Sequence, residues 1–292
     1  MQVAVFGRNF PPYARENIAT MFSKFNMLNV DVWVFEPLMD FLQKKAGLRP
    51  KIAGLFTSHK DLPEGLDFLF SLGGDGTFLE TVNLVRDSGI PVLGVNIGRL
   101  GFLSYISQEN MDESLESVFS GKYDIEERML LKVEVPGVDL DDMAVALNDV
   151  RIYKTSGSLI TIHVKINQEF LSAYWADGLL LSTPTGSTAY NLSVGGPIVV
   201  PESNSFVLSP IAPHNLTVRP LVLPDSAVLQ LSVDTRDSQF QLAVDSRTTD
   251  LDVDATVTIR KAAYSLKMIR IENISFYSTL RNKLMWGADR RN

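Results

Sequence analysis

Cysteine is absent from the 292 residues. Its absence excludes disulfides, thiolate metal sites and a cysteine nucleophile, and it fits a reducing compartment. Histidine is scarce, and the three present do not cluster. His163 falls on the polar face of an alternating strand and is read as solvent-exposed. His59 is read as structural in a loop, and His214, after Pro213, as a packing or backbone-bonding residue. Neither H-E-x-x-H nor G-x-S-x-G occurs, so zinc and serine hydrolases have no support. The P-loop spacing G-x4-G-K-[ST] is missing, and so is a G-x-G-x-x-G after a strand, which argues against a P-loop kinase and a dehydrogenase.

Long apolar runs are missing too. None approaches the ~20 residues needed to cross a bilayer. The opening MQVAVFGRNFPPYAREN has no basic region before its apolar stretch and no cleavage-like site, and it is read as a first strand. Positive charge is outweighed, with 27 basic against 34 acidic residues and a net charge of −7. That excludes a broad phosphate-neutralising surface for nucleic acid but leaves room for a small nucleotide pocket. The expectation is a cytoplasmic protein that binds neither nucleic acid nor membrane.

What is present is globular composition, with 45% hydrophobic residues, enough chain for one large or two ordinary domains. Residues Val3–Phe6, Val30–Phe35, Ile52–Phe56, Leu66–Leu72 and Pro91–Asn96 read as apolar strands. Between them, Ile18, Met21, Phe22 and Phe25, then Leu38–Lys45, then Thr77–Asp87, show helical spacing. This alternation predicts an α/β domain over 1–122, Rossmann-like with a mainly parallel sheet. Beyond it, Leu131, Val133 and Val135, then Ile160, Ile162, Val164 and Ile166, alternate with polar residues. Val228–Leu231, Phe240–Val244 and Thr256–Ile259 add short strands, which predicts a β-rich domain over 123–274. Residues 275–292 are expected to hold a C-terminal helix packing back on the first domain.

The chemistry concentrates in two glycine-rich segments. In the first, an apolar strand runs into Gly73-Gly74-Asp75-Gly76-Thr77 and a helix follows. Glycine lets a ligand reach the backbone, and a helix N-terminus offers free N–H groups and a favourable dipole to a phosphate. A carboxylate among bound phosphates is repulsive unless it meets a cation or a sugar hydroxyl. Asp75 therefore has the character of a general base for phosphoryl transfer. Taken alone, the loop is equally well read as a tight turn with Asp75 capping the helix.

The second segment, Asp177 to Pro197, carries hydroxyls at 182, 183, 185, 187, 188, 190 and 193. Such a run can donate neutral hydrogen bonds to phosphate, ribose or a base edge, and Tyr190 adds a stacking face. The acids Asp245, Asp250, Asp252 and Asp254 do not have EF-hand spacing and read as strand-end turns, with Asp245 the one nearest a ligand.

These segments, with NIGRLGFL (96–103), Leu147-Asn148-Asp149-Val150, IAPHNLTVRPLV (211–222) and LRNKLMW (280–286), resemble the NAD kinase family over nearly the whole chain. The GGDGT loop alone is not specific, since diacylglycerol kinases, sphingosine kinases and phosphofructokinases carry similar loops. The stretch 177–197 is specific. The resemblance implies transfer of a phosphoryl group from ATP to the 2′-hydroxyl of the adenosine ribose of NAD, giving NADP. Mg²⁺ would arrive on the triphosphate, with no fixed metal site in the protein. It also implies a homodimer or homotetramer.

By the same resemblance, Asp75 is the proton acceptor and Gly76 lies against the substrate, while Gly73, Gly74, Gly76 and Thr77 form the phosphate loop. Phe102 lies near the adenine. Asn148 and Asp149 match an Asn-Glu pair that binds ribose hydroxyls, with Asp here one methylene shorter. Asp177 matches an acid of the nicotinamide-side pocket. Thr185 and the stretch Thr188, Ala189, Tyr190, Asn191, Leu192 and Ser193 match the adenine and ribose wall. Ala212 and Arg247 fall near the ligand. Trp175 stands where related sequences often carry Arg or Gly, a position that bears on NAD against NADH. The alternatives are a lipid kinase of the diacylglycerol-kinase type and a non-catalytic dinucleotide-binding regulator. The first needs an apolar acceptor cleft, and the second would dispense with Asp75.

Overall fold

The computed structural model describes residues 1–98, 101–107, 110–271 and 275–287. They form two compact units, one of residues 1–127 and 266–292, the other of residues 128–265. The divisions fall inside two long strands rather than in the loops near 122 and 274.

In the first unit, strands β1 (Gln2–Gly7), β2 (Asp31–Phe35), β3 (Gly54–Phe56), β4 (Phe68–Leu72) and β5 (Val92–Val95) form a parallel sheet in the order β3-β2-β1-β4-β5. Every residue of β4 and β5 is buried, as expected for central strands covered on both faces. Helices α1 (Arg15–Met27), α2 (Glu36–Lys44), α3 (Asp75–Val85) and α4 (Met111–Phe119) alternate with the strands. The spacing of Ile18, Met21, Phe22 and Phe25 is indeed the buried stripe of α1. Helix α4 was not foreseen. Its Phe119 completes a ring cluster with Phe25 of α1 and Phe70 of β4, at centroid distances of 5.8 and 6.5 Å, while Phe25 and Phe70 lie 5.2 Å apart. Because the order reverses direction between β1 and β4, the loops leaving those two strands flank the switch point where α/β sheets bind ligands.

The second unit is antiparallel. Strands β6 (Tyr123–Glu134) and β7 (Val145–Ala146) pair with each other. One sheet contains β10 (Glu169–Ala176), β9 (Ile160–Ile166) and β14 (Leu229–Asp234), then the first part of β17 (Val257–Ile271). The other has the order β13 (Leu221–Pro224), β12 (Ser205–Ile211), β11 (Gly178–Ser182), β8 (Asp149–Tyr153), β15 (Gln239–Val244) and β16 (Arg247–Asp252). Their inner faces share one core, with Ile160, Ile162 and Val164 meeting residues such as Ile152, Leu179, Phe206 and Leu242. The expected strand Thr256–Ile259 is the start of the 15-residue β17. The last part of that strand lies in the first unit, where Met268 pairs with Val92 of β5. A one-turn helix α5 (Tyr190–Ser193) follows β11, and helix α6 (Phe276–Leu284) belongs to the first unit.

Phe70 is fully buried and holds α1 and α4 to the sheet. Phe70→Ala is expected to destabilise the chain by about 3–5 kcal/mol, and Phe70→Leu by far less, in urea unfolding.

Candidate functional site

The first unit builds its constellation at the carboxyl ends of β1 and β4. Strand β4 ends at Leu72, Gly73 donates its N–H to the Val95 carbonyl at 3.0 Å, and Gly74 is the N-cap of α3. The helix thus begins at Asp75, two residues earlier than its apolar spacing suggested. Space over Gly74 and Gly76 is open, so a ligand can reach the backbone there. The first N–H groups of α3 have no partner within the helix, and they carry its positive end.

Asp75 does not cap the helix. Its carboxylate reaches across instead, with Oδ2 accepting from the Phe102 N–H at 2.9 Å and Oδ1 from the Leu103 N–H at 3.1 Å. A Cβ at residue 101 would overlap this carboxylate, which explains Gly101. Lys283 of α6 sets its ammonium 3.7 Å from Asp75 Oδ2 and 4.6 Å from the centre of the Phe102 ring. Phe276 lies 6.4 Å from that ring. Lys283 was missed in the sequence, where only the LRNKLMW ending marked it. Arg8, just past β1, was also missed. It pairs with Glu80 of α3 at 2.5 Å. Arg99 and Leu100, in the middle of NIGRLGFL, lie outside the described residues.

In the second unit, Asn148 and Asp149 open β8. Their placement comes from Asp245, a residue at φ 52° in the β15–β16 turn. One oxygen of its carboxylate accepts from the N–H of Asn148 at 2.8 Å and of Asp149 at 3.1 Å, and the other accepts from Leu147 at 2.9 Å. Asp245 returns its own N–H to the Asp149 carbonyl at 2.9 Å. Burial raises the Asp245 carboxyl, and the three N–H donors and Arg247 oppose that rise.

Asp149 is 3% exposed. Burial pushes its carboxyl up to about 7, with Arg151 lowering it and Asp245 raising it. The Arg151 Nε lies 2.7 Å from Asp149 Oδ1, yet neither buried atom makes a directed hydrogen bond. This is a charge contact with unspent hydrogen-bonding capacity. The Arg151 guanidinium also lies 5.7 Å from the centre of the Tyr153 ring and 5.6 Å from that of Tyr190.

The hydroxyl-rich segment differs from its sequence reading. Ser182, Thr183 and Ser187 spend their hydroxyls on the chain's own carbonyls, at Thr183, Leu147 and Val199, at 2.6–3.1 Å. Thr188 makes a longer bond of 3.4 Å to the Thr185 carbonyl. Asn191 is fully buried, donating to the Ser187 and Pro197 carbonyls and accepting from the Ser209 hydroxyl of β12 at 2.7 Å. Gly186 packs against the Asn148 carbonyl, where a Cβ would collide. The segment is therefore first a scaffold over β11 and β12. Thr185 is 8% exposed, while Thr188, Ala189 and Leu192 are half-buried. Tyr190 and Ser193 are the exposed members.

Asp177 pairs with Lys154 at 2.6 Å. Trp175 is 52% exposed and lies 5.7 Å from the His214 ring, and the His214 N–H donates to the Trp175 carbonyl. Ala212 is exposed, at φ 45°. Arg247 donates to the carbonyls of Asp142, Val145 and Val244, so its guanidinium secures the loop ahead of β8. His163 is half-buried and meets Asp234 at 2.8 Å. Asp250 and Asp252 lie within β16 rather than in a turn.

Residues 44–123 match the family model described as ATP-NAD kinase N-terminal domain, and residues 147–271 that described as ATP-NAD kinase C-terminal domain. A curated NAD kinase of Flavobacterium psychrophilum is 43% identical over 295 aligned positions, covering 100% of both chains. One from Bacteroides fragilis is 40% identical over 292 positions, again covering 100% of both. The crystal structure of yeast NADH kinase complexed with NADH superposes with a TM-score of 0.87 at 27% identity, covering 100% of this chain and 90% of that one. An NAD kinase from Archaeoglobus fulgidus in complex with ATP reaches a TM-score of 0.74 at 24% identity, covering 98% and 99%, which is a likeness of fold.

The raised Asp149 carboxyl sets a pH dependence. The folded state keeps a proton that the unfolded state releases near the ordinary value of 3.8, so this contribution to stability is complete below that value and lost as pH rises through about 7. Asp149→Asn carries no such proton. Its unfolding free energy relative to wild type is therefore expected to improve by about 1 kcal/mol or more from about pH 5 to about pH 8 in urea titrations. Parallel pH curves for the two proteins would contradict the buried-acid reading.

Proposed function

The chain belongs to the NAD kinase family, and we propose that it transfers the γ-phosphoryl group of ATP to the 2′-hydroxyl of the adenosine ribose of NAD. The P–O bond to the β-phosphate breaks, a P–O bond to the ribose forms, and ADP and NADP leave. The observation that carries this reading is the carboxylate of Asp75. It opens α3 directly after Gly74, whose backbone is open to a ligand, and two N–H groups and Lys283 orient it.

Asp75 accepts the proton of the 2′-hydroxyl as the new bond forms. Gly74, Gly76 and Thr77 present backbone N–H groups to the phosphates at the positive end of α3, stabilisation that needs no reorganisation during the reaction. A divalent cation arriving with the triphosphate would supply charge neutralisation there. The donor set at the loop fits a cation that arrives with its nucleotide, because Asp75 is the single carboxylate of the glycine loop and is already committed to N–H donors. Asn148 and Asp149 bind ribose hydroxyls, Phe102 lies by the adenine, and Thr185, Tyr190 and Ser193 form the wall of the acceptor site. Asp177 serves the nicotinamide side. Trp175, large and half exposed, bears on the choice between NAD and NADH.

The protein acts in the cytoplasm as a homodimer or homotetramer. Support for assembly comes from β10 and β13, two of the edge strands of the second unit. Phe170 and Leu171 of β10 and Leu221 and Val222 of β13 expose apolar side chains on strands with one free edge. Among the described residues no helix is long and apolar enough to cross a membrane.

Asp75→Asn tests the assignment. Incubated with ATP, Mg²⁺ and NAD, the variant is expected to form NADP about 10²–10⁴-fold more slowly while NAD binding by calorimetry stays near wild type. Asn keeps one acceptor for the Phe102–Leu103 turn, so a thermal melt within several degrees of wild type should accompany the loss. Turnover near the wild-type rate would remove Asp75 from the role of base.

A further inference from the structure

We propose that Arg151 is a positioning residue on the acceptor side of the reaction, holding the Asp149 carboxylate and the Tyr190 ring in one arrangement. The inference rests on the acceptor roles given above to Asp149 and Tyr190. Arg151 lies two residues after Asp149 on β8, so both side chains leave the same face of the strand. Its side chain is 18% exposed and its guanidinium is used on every side. Nη1 donates to the Tyr153 hydroxyl at 3.2 Å, Nη2 to the Asp245 carbonyl, and Nε stands against Asp149. Its Cζ lies 5.7 Å from the centre of the Tyr153 ring and 5.6 Å from that of Tyr190.

A planar delocalised cation can meet a carboxylate with its edge and aromatic rings with its faces, which a lysine ammonium cannot do. The groups facing Asp149 are Arg151 and Tyr153 from its own strand and Asp245 from the β15–β16 turn, with Arg247 3.8 Å behind it. Arg247 is committed to three carbonyls and to Asp245. Removing Arg151 therefore leaves Asp149 beside a second buried acid without its own counter-charge, and it removes the cation beside the Tyr190 ring. Both consequences fall on the acceptor rather than on the phosphoryl donor.

The experiment is NADP formation against NAD concentration from about pH 5.5 to about pH 9, for wild type, Arg151→Met and Arg151→Lys. Arg151→Met is expected to raise the KM for NAD about tenfold with a smaller change in kcat and in the KM for ATP. The limb of the kcat/KM profile governed by Asp149 should move to higher pH by about one unit, because an opposite charge that favoured the carboxylate is gone. Arg151→Lys should keep that limb in place yet raise the KM for NAD, since the charge survives and the fork that reaches Tyr153, Asp245 and the Tyr190 ring together does not. A Met variant whose profile superimposes on wild type overturns the proposal. If the Met variant does not fold, the Lys variant decides, and an unchanged KM for NAD then overturns it. A wild-type protein that makes no NADP sinks the kinase reading instead. In that case the pH dependence of NAD binding by calorimetry, compared between wild type and Arg151→Lys, still tests Arg151, and identical affinities at every pH overturn its role.

Discussion

Three consecutive N–H groups, those of Leu147, Asn148 and Asp149, converge on the buried carboxylate of Asp245. Backbone donors at the entry to a strand must find acceptors, and an acid buried without donors would be costly, so each satisfies the other. The consequence is directional. With three successive N–H groups tied to one carboxylate, the chain entering β8 has little freedom, and the side chains of Asn148, Asp149 and Arg151 leave it at set angles. Arg247 secures the preceding loop through its carbonyls. Gly186 then packs directly on the Asn148 carbonyl, bringing the 183–193 segment against this strand entry. The residues proposed to hold the acceptor are thus set by one carboxylate that has no substrate role in the proposed reaction.

The first unit uses a carboxylate in a related way. Asp75 binds two backbone N–H groups of the Phe102–Leu103 turn and so ties the loop after β4 to the chain following β5. The two acids differ in access. Asp245 is 4% exposed and has only the chain to serve, whereas Asp75 is half-buried beside open backbone at Gly74 and Gly76. Exposure, rather than hydrogen bonding, separates Asp245 from the acid proposed as the base.

Much of this was legible in the sequence. The apolar runs around residues 3–6, 68–72 and 92–95 became the central parallel strands, because a strand buried on both faces must be apolar throughout. The alternation at 160–166 marked a strand with one buried face. Helix α4 escaped because its apolar positions, Met111, Leu115 and Val118, are few and lie among acids. The helix boundary at Asp75 escaped because Asp, Gly and Thr suit a first turn as well as a loop. Lys283 and Arg151 escaped for another reason. A residue that acts by holding a distant one has no local signal, since Lys283 is recognised only beside Asp75, and Arg151 only beside Tyr190, once the chain has folded.

The hydroxyl run teaches the opposite lesson. Seven hydroxyls between 182 and 193 looked like donors to a ligand. Their bonds, however, go largely inward, to the carbonyls of Leu147, Thr183 and Val199. A loop passing over a sheet without being part of it must satisfy its own polar groups and the edge it covers, and short hydroxyl side chains do this without adding volume. What the proposed site leaves for the nucleotide is the backbone at the start of α3, the exposed Tyr190 and Ser193, and a few polar side chains such as Asn148. For a chain of net charge −7 meeting two polyanions, that is a coherent solution. Oriented N–H dipoles attract phosphate without the desolvation and self-repulsion that a cluster of cations would bring, and a cation that travels with the triphosphate supplies the remaining charge.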